Sequence, residues 1–144
     1  MKTIAHLLLG LTLALATASA HEKAVGGPNG GRLLTALEPH AEFLLLPDRK
    51  VQITFLDADD KPAPPTGQTV TVTTGSRLAP TTLAFAKAGD VLVSTNPVPA
   101  GDNLPVVVQI KPSPEARAVV ERFNLNLALC PDCNRREYAC VCDH

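Results

Sequence analysis

Hydrophobic and polar residues alternate with a period of two along most of this chain. In KVQITFLD, residues 50–57, Val51, Ile53 and Phe55 share one face and Gln52 and Thr54 the other; in QTVTVTT, residues 68–74, Val70 and Val72 oppose Thr69, Thr71 and Thr73. Successive side chains of an extended chain point to opposite sides, so each stretch predicts a strand with one face buried. The pattern returns in TLAFA through Leu83 and Phe85, in VLVS from Val91, and in PVVVQIK through Val106, Val108 and Ile110. It runs longest in VVERFNLNLAL, where Val119, Phe123, Leu125, Leu127 and Leu129 face one way and Arg122, Asn124 and Asn126 the other. Glu121 interrupts that apolar face. HAEFLLL, from His40, predicts a further strand, with His40 and Glu42 on an exposed face and Ala41 and Phe43 on the opposite one.

Turn formers separate these runs: LEP at Leu37, PDRK at Pro47, DADDKPAPPTG from Asp57, and NPVPAGDN from Asn96. Short strands broken at such intervals predict an all-β fold, an immunoglobulin-like sandwich or small barrel of about seven strands, with an irregular Cys-rich C-terminal tail. The 13 prolines suit loops and blunted sheet edges.

The ends of the chain change the picture. Lys2, the apolar run LLLGLTLALA from Leu7 and the small residues Ala18, Ser19 and Ala20 predict a signal peptide over residues 1–20. That apolar run is too short to cross a bilayer, so the mature protein is expected to be exported, periplasmic and without a membrane span. Residues 21–31, HEKAVGGPNGG, predict a flexible Gly-rich arm or a set of tight turns. Residues 32–129 form the expected β domain, and residues 130–144 the Cys-rich tail. Without the signal the chain keeps a net charge of −2, has one tyrosine and no tryptophan, and so lacks the basic surface and stacking platforms of a nucleic-acid binder.

All four cysteines fall in LCPDCNRREYACVCDH. A Cys-x-x-Cys turn aims two sulfurs at one point, and a second close pair across a short loop completes a tetrahedral site. Cys130, Cys133, Cys140 and Cys142 are therefore candidate ligands for zinc or copper, with His144 as an alternate, because Cys-x-Cys is the less usual spacing. Two disulfides are the competing reading for an exported chain. A Cys140–Cys142 bond would strain its ring, so crosswise pairs are favoured. Thiol exchange ranks last, since Cys130 follows a strand and Asp132 opposes thiolate formation.

A weaker second site is expected from His21, His40 and Glu42. After cleavage His21 becomes an N-terminal residue whose amine and ring can chelate Cu(II) together. His40 would complete the histidine brace of a copper enzyme, with Glu42 beside it as its supporting carboxylate or a further ligand. The bland alternative is a loose terminus, a solvated histidine and a surface acid. The acids of DADDK, Asp57, Asp59 and Asp60, are read as turn formers, because no glycine or distal glutamate follows at calcium-loop offsets. No G-x-S-x-G or H-E-x-x-H occurs, which leaves hydrolytic chemistry without support.

The segments GPNGGRLL, PHAEF, DRKVQITFLDADDKPAPP and EYACVCDH resemble small exported bacterial proteins associated with heavy-metal efflux, and a β-rich module of some periplasmic metal-efflux adaptor subunits. Gly30, Gly31, His40, Glu42 and Pro62 occupy the shared positions. The resemblance implies a setting, metal handling in the periplasm beside an efflux component, and carries no ligand assignment. The expected function is thus a soluble periplasmic metal-binding accessory protein. A metal-free interaction module with a disulfide-ordered tail and the copper enzyme stand as alternatives.

Overall fold

The computed structural model describes residues 24–142, and the expected signal peptide, His21 and His144 lie outside that range. Eleven strands occur in chain order: β1 (Val25–Gly26), β2 (Arg32–Leu34), β3 (Ala41–Leu45), β4 (Val51–Leu56), β5 (Pro62–Ala63), β6 (Thr69–Ser76), β7 (Ala79–Leu83), β8 (Phe85–Ala88), β9 (Val91–Ser94), β10 (Asn103–Lys111) and β11 (Val119–Asn126). One 3₁₀ turn, Glu137–Ala139, follows, and no α-helix is present among the described residues. The strands beyond the expected seven include two- and three-residue pieces such as β1, β2 and β5.

All pairing is antiparallel. One sheet runs β1-β2-β3-β4-β9-β8, with β5 also on β4; the other runs β11-β10-β6-β7. The two sheets do not close on each other, so the fold is a sandwich and not a barrel. Ala84 separates β7 of one sheet from β8 of the other, so a single stretch of chain spans both sheets on that side.

The period-two pattern explains the core. Val51, Ile53, Phe55, Val72, Val106, Val108, Ile110 and Leu125 are all under 4 % exposed and pack in one cluster between the sheets. Register keeps the apolar faces aligned: β10 sets Val108 opposite Val72 and Ile110 opposite Val70. On its other side β10 sets Val106 opposite Phe123 and Ile110 opposite Val119.

The same register turns Glu121 inward, opposite Val108. Its carboxylate meets Arg32 of β2 at 3.6 Å, and the Arg32 guanidinium lies 4.8 Å from the centre of the Phe123 ring. The interruption seen in the sequence is therefore a charge with a partner, linking the two sheets across their open side.

Three hairpins share one turn. In Gly27–Gly31, Leu46–Lys50 and Asp57–Lys61, the first N–H donates to the last carbonyl, and the fourth N–H donates back to the first carbonyl. The fourth residue of each has positive φ: Gly30 at 89°, Arg49 at 64° and Asp60 at 57°. This is a three-residue loop in which a tight turn is followed by a left-handed residue, and its hand matches the twist of the strands. Asp57 reinforces its own turn, its Oδ1 accepting from the N–H groups of Asp59 at 2.9 Å and Lys61 at 3.0 Å. Those bonds, Lys61 foremost, hold the Asp57 carboxyl below the usual carboxylate range. DADDK is thus a turn, as its composition implied.

Of the two readings of the Gly-rich segment the tight turns are the ones found in the described residues, and one expectation about β11 needs correction. From Val25 onward the Gly-rich arm is a paired strand and a closed turn, because β1 finds a partner in β2 and Gly27–Gly31 satisfies its own backbone. Leu129, expected in the core, is 59 % exposed, because β11 ends at Asn126 and the chain turns away before it.

Candidate metal centre

Past β11 the chain makes one more hairpin, a residue longer than the other three. The Cys130 N–H donates to the Arg135 carbonyl at 2.8 Å, the Asn134 N–H donates to the Cys130 carbonyl at 2.9 Å, and Leu129 bridges to Arg136. Asn134 takes the left-handed conformation, φ 56°, that reverses the chain; asparagine visits that region more readily than most L-residues. Glu137–Ala139 then turns the chain back so that Cys140 and Cys142 face the first pair.

The result is a four-sulfur cluster. Cys130 Sγ and Cys142 Sγ are 3.9 Å apart, Cys133 Sγ and Cys140 Sγ 3.7 Å, and all four sulfurs lie within 4.8 Å of one another. Four thiolates at about 2.3 Å from a tetrahedral zinc stand roughly 3.8 Å from each other, so the cluster has the dimensions of such a site. A disulfide would need about 2.05 Å, and none of the cysteines is in one. The four cysteines are therefore positioned to bind a metal ion.

Backbone donors prepare the first pair. The Arg135 N–H holds the Cys133 thiol down to about 7, and the N–H groups of Cys133 and then Asp132 hold Cys130 below its ordinary value. The second pair differs. Cys142 is pushed up, chiefly by its hydrogen bond with the Cys133 sulfur. The Cys142 N–H, 3.4 Å from the Cys140 sulfur, pulls Cys140 down, but burial and the neighbouring thiols outweigh it and raise that group. An arriving cation finds thiolate at the knuckle first and displaces protons from the rest.

The loop is anchored to the sandwich. Tyr138 is 5 % exposed, Ala139 1 % and Cys130 0 %. The Tyr138 ring packs edge-on against Phe43 at 6.0 Å, Phe43 packs edge-on against Phe123 at 5.1 Å, and the Leu45 N–H donates to the Tyr138 hydroxyl at 3.1 Å. Burial raises the Tyr138 pKa, which keeps the hydroxyl neutral. Arg135 lies against β1, so close that a Cβ on Gly26 would stand 2.5 Å from Nη1. The tail therefore covers the open side of the sandwich, between β1–β3 of one sheet and β11 of the other.

The weaker set does not come together in the described residues. Glu42, expected on an exposed face, is fully buried. The correction has a physical cause. Its carboxylate accepts from the N–H groups of Asn29 at 2.9 Å and Gly31 at 2.8 Å and from Asn29 Nδ2 at 2.6 Å, so the buried charge holds the Gly27–Gly31 turn. A side chain on Gly31 would meet the Phe43 carbonyl, which explains the glycine.

His40 precedes β3 and turns elsewhere. Its Nδ1 is 2.9 Å from Asp60 and its Nε2 3.1 Å from Glu38, and the Asp60 hydrogen bond is the main cause of its raised pKa. Both ring nitrogens are thus engaged by carboxylates of neighbouring loops. His21 and His144 lie outside the described residues.

A cleft of about 420 Å³ beside the loop is lined by Arg49, Asp102, Arg136 and Tyr138 among others, but by none of the cysteines. The sulfurs thus do not line that cleft. Comparison with known families, curated proteins and solved structures finds no match for this chain.

Proposed function

We propose that this chain is an exported metal-binding protein whose Cys130, Cys133, Cys140 and Cys142 hold one zinc ion, acting as an accessory in periplasmic heavy-metal homeostasis or efflux. The observation that carries the metal reading is the spacing of the sulfurs, 3.7 and 3.9 Å across the two facing pairs. Four thiolates in a tetrahedron suit zinc, since four cysteine ligands fill the coordination shell of a structural site. The half-buried residues Cys133 and Cys142 favour a second reading, Cu(I) held for exchange with a partner, since transfer needs reachable ligands.

The setting rests on the leading segment and on the resemblance to efflux-associated proteins. The shared positions Gly30, Gly31 and Glu42 form one clamp, with Gly31 donating to the carboxylate. These residues support a common framework, while the cysteine loop supplies the ligand chemistry.

The test is metal titration of the reduced mature chain against a chromogenic competitor, with zinc and Cu(I) in parallel. We expect one zinc per chain, and a loss of affinity in Cys130→Ser and Cys133→Ser beyond the ~10–100-fold that loss of a supporting partner outside the ligand shell costs. Unchanged affinity in either variant contradicts the assignment. Tighter retention of Cu(I) than of zinc at cellular competitor strength selects the exchange reading.

A further inference from the structure

We propose that the four-sulfur centre is also a site of oxidative modification, at which a peroxide converts the cysteines to two crosswise disulfides, Cys130–Cys142 and Cys133–Cys140, and expels the ion. This rests on the zinc reading above. The contacts at 3.9 and 3.7 Å together take in all four sulfurs, within a cluster where each sulfur also lies within 4.8 Å of the other three. Closing each to a bond of about 2.05 Å asks each sulfur to move by roughly 0.9 Å, within the reach of side-chain torsions.

Access supports the same pairing. Cys133 and Cys142 are half-buried, whereas Cys140 and Cys130 are buried, so each proposed pair joins a less buried cysteine, the more open to an oxidant, to a more deeply placed one. The reachable thiolate attacks the peroxide oxygen, becomes a sulfenic acid and releases water after taking up a proton. The buried partner then attacks the sulfenic sulfur, forming the S–S bond, and a second water leaves.

Two such events consume two peroxides and four protons, take four electrons from four thiolates, and yield two disulfides and four waters. Disulfide sulfur no longer carries the charge that held the cation, so zinc leaves as the divalent ion. Adjacent pairing is opposed by geometry, because a Cys140–Val141–Cys142 ring would be strained. The Tyr138 anchor is untouched by the change, so the loop stays docked in both states.

The experiment uses the reduced, full mature chain loaded with zinc and then treated with hydrogen peroxide. Zinc release is read with a chromogenic chelator and hydrogen loss by intact mass. Pairing is read by cleavage after Arg135 and before Asp132, with fragmentation across Val141. We expect release of all bound zinc, loss of four hydrogens, the two named links, and recovery of zinc binding after reduction. The Cys142→Ser variant should lose two hydrogens and form only Cys133–Cys140.

Zinc retained under peroxide, a Cys130–Cys133 link, Cys130–Cys140 with Cys133–Cys142, or sulfinic products in place of disulfides would each overturn the proposal. A chain that takes up no zinc overturns the metal reading itself, and that result is read before oxidant is added.

Discussion

The sandwich and the cysteine loop are held together by different means, and the contrast locates the chemistry. In the sandwich the longer strands are specified more than once, by alternation, by register and by a core in which Phe43, Ile53 and Leu125 lose all contact with solvent, and three of the hairpins repeat one turn geometry. The loop is anchored through a few residues, Tyr138 and Ala139 foremost, and has four sulfurs drawn together without a bond. Apolar burial stabilises the first. The second brings together four donors that repel one another as thiolates, and a cation removes that conflict.

Substitutions separate the two regions, and the largest effect is expected where they share a side chain. Phe43→Ala removes a fully buried ring that contacts both Phe123 and Tyr138. Chemical denaturation should show a loss of about 3–5 kcal/mol, with weaker zinc binding alongside it. A core-sized stability loss with unchanged metal affinity would mean that the loop does not depend on the sandwich.

Glu42→Ala comes next. It leaves the N–H groups of Asn29 and Gly31 without their buried acceptor and opens the turn beside β1, at an expected cost of about 3 kcal/mol. Glu42→Gln should recover part of this, since one amide oxygen can still accept. If Glu42 served as a metal ligand instead, both variants would lower metal affinity before stability.

Tyr138→Phe keeps the ring against Phe43 and removes only the acceptor for the Leu45 N–H. We expect about 1 kcal/mol in denaturation and faster hydrogen exchange at Leu45.

The smallest effect belongs to His40. Its pKa is raised in the fold, mainly by Asp60 and then by Glu38, so its contribution is fully present below the unfolded value of about 6.5 and fades as pH rises through the folded value. The group is partly exposed, and solvent screens the pair. His40→Asn should therefore lower the melting temperature slightly near about pH 6 and leave it unchanged near about pH 8. The opposite pH order would show that the carboxylates do not hold the charged ring.

Much of this architecture was legible in the sequence, for a physical reason. Alternation reports burial directly wherever one strand face meets a core, so the faces of β4, β6 and β10 followed from Val51, Val70 and Val106 onward. Short elements were not legible: β1, β2 and β5 are too brief to show a period, and their pairing depends on turns made by distant residues. Glu42 was misread because alternation ranks a carboxylate as outward-facing, whereas three donors from a turn eleven to thirteen residues earlier draw it inside.

At the site, the ligand set was readable because Cys-x-x-Cys constrains its own geometry. The anchor was not, since nothing local marks Tyr138 as the residue that meets Phe43. One signal was present and went unused. Asn134 directly after the second cysteine is a residue suited to the left-handed conformation that the loop needs.

The most direct measurement is X-ray absorption at the zinc edge on the reduced, zinc-loaded chain. The arrangement of the sulfurs predicts a single shell of four sulfur neighbours at about 2.3 Å and no nitrogen or oxygen in it. A shell with two or fewer sulfurs, completed by lighter atoms, would contradict a four-cysteine centre.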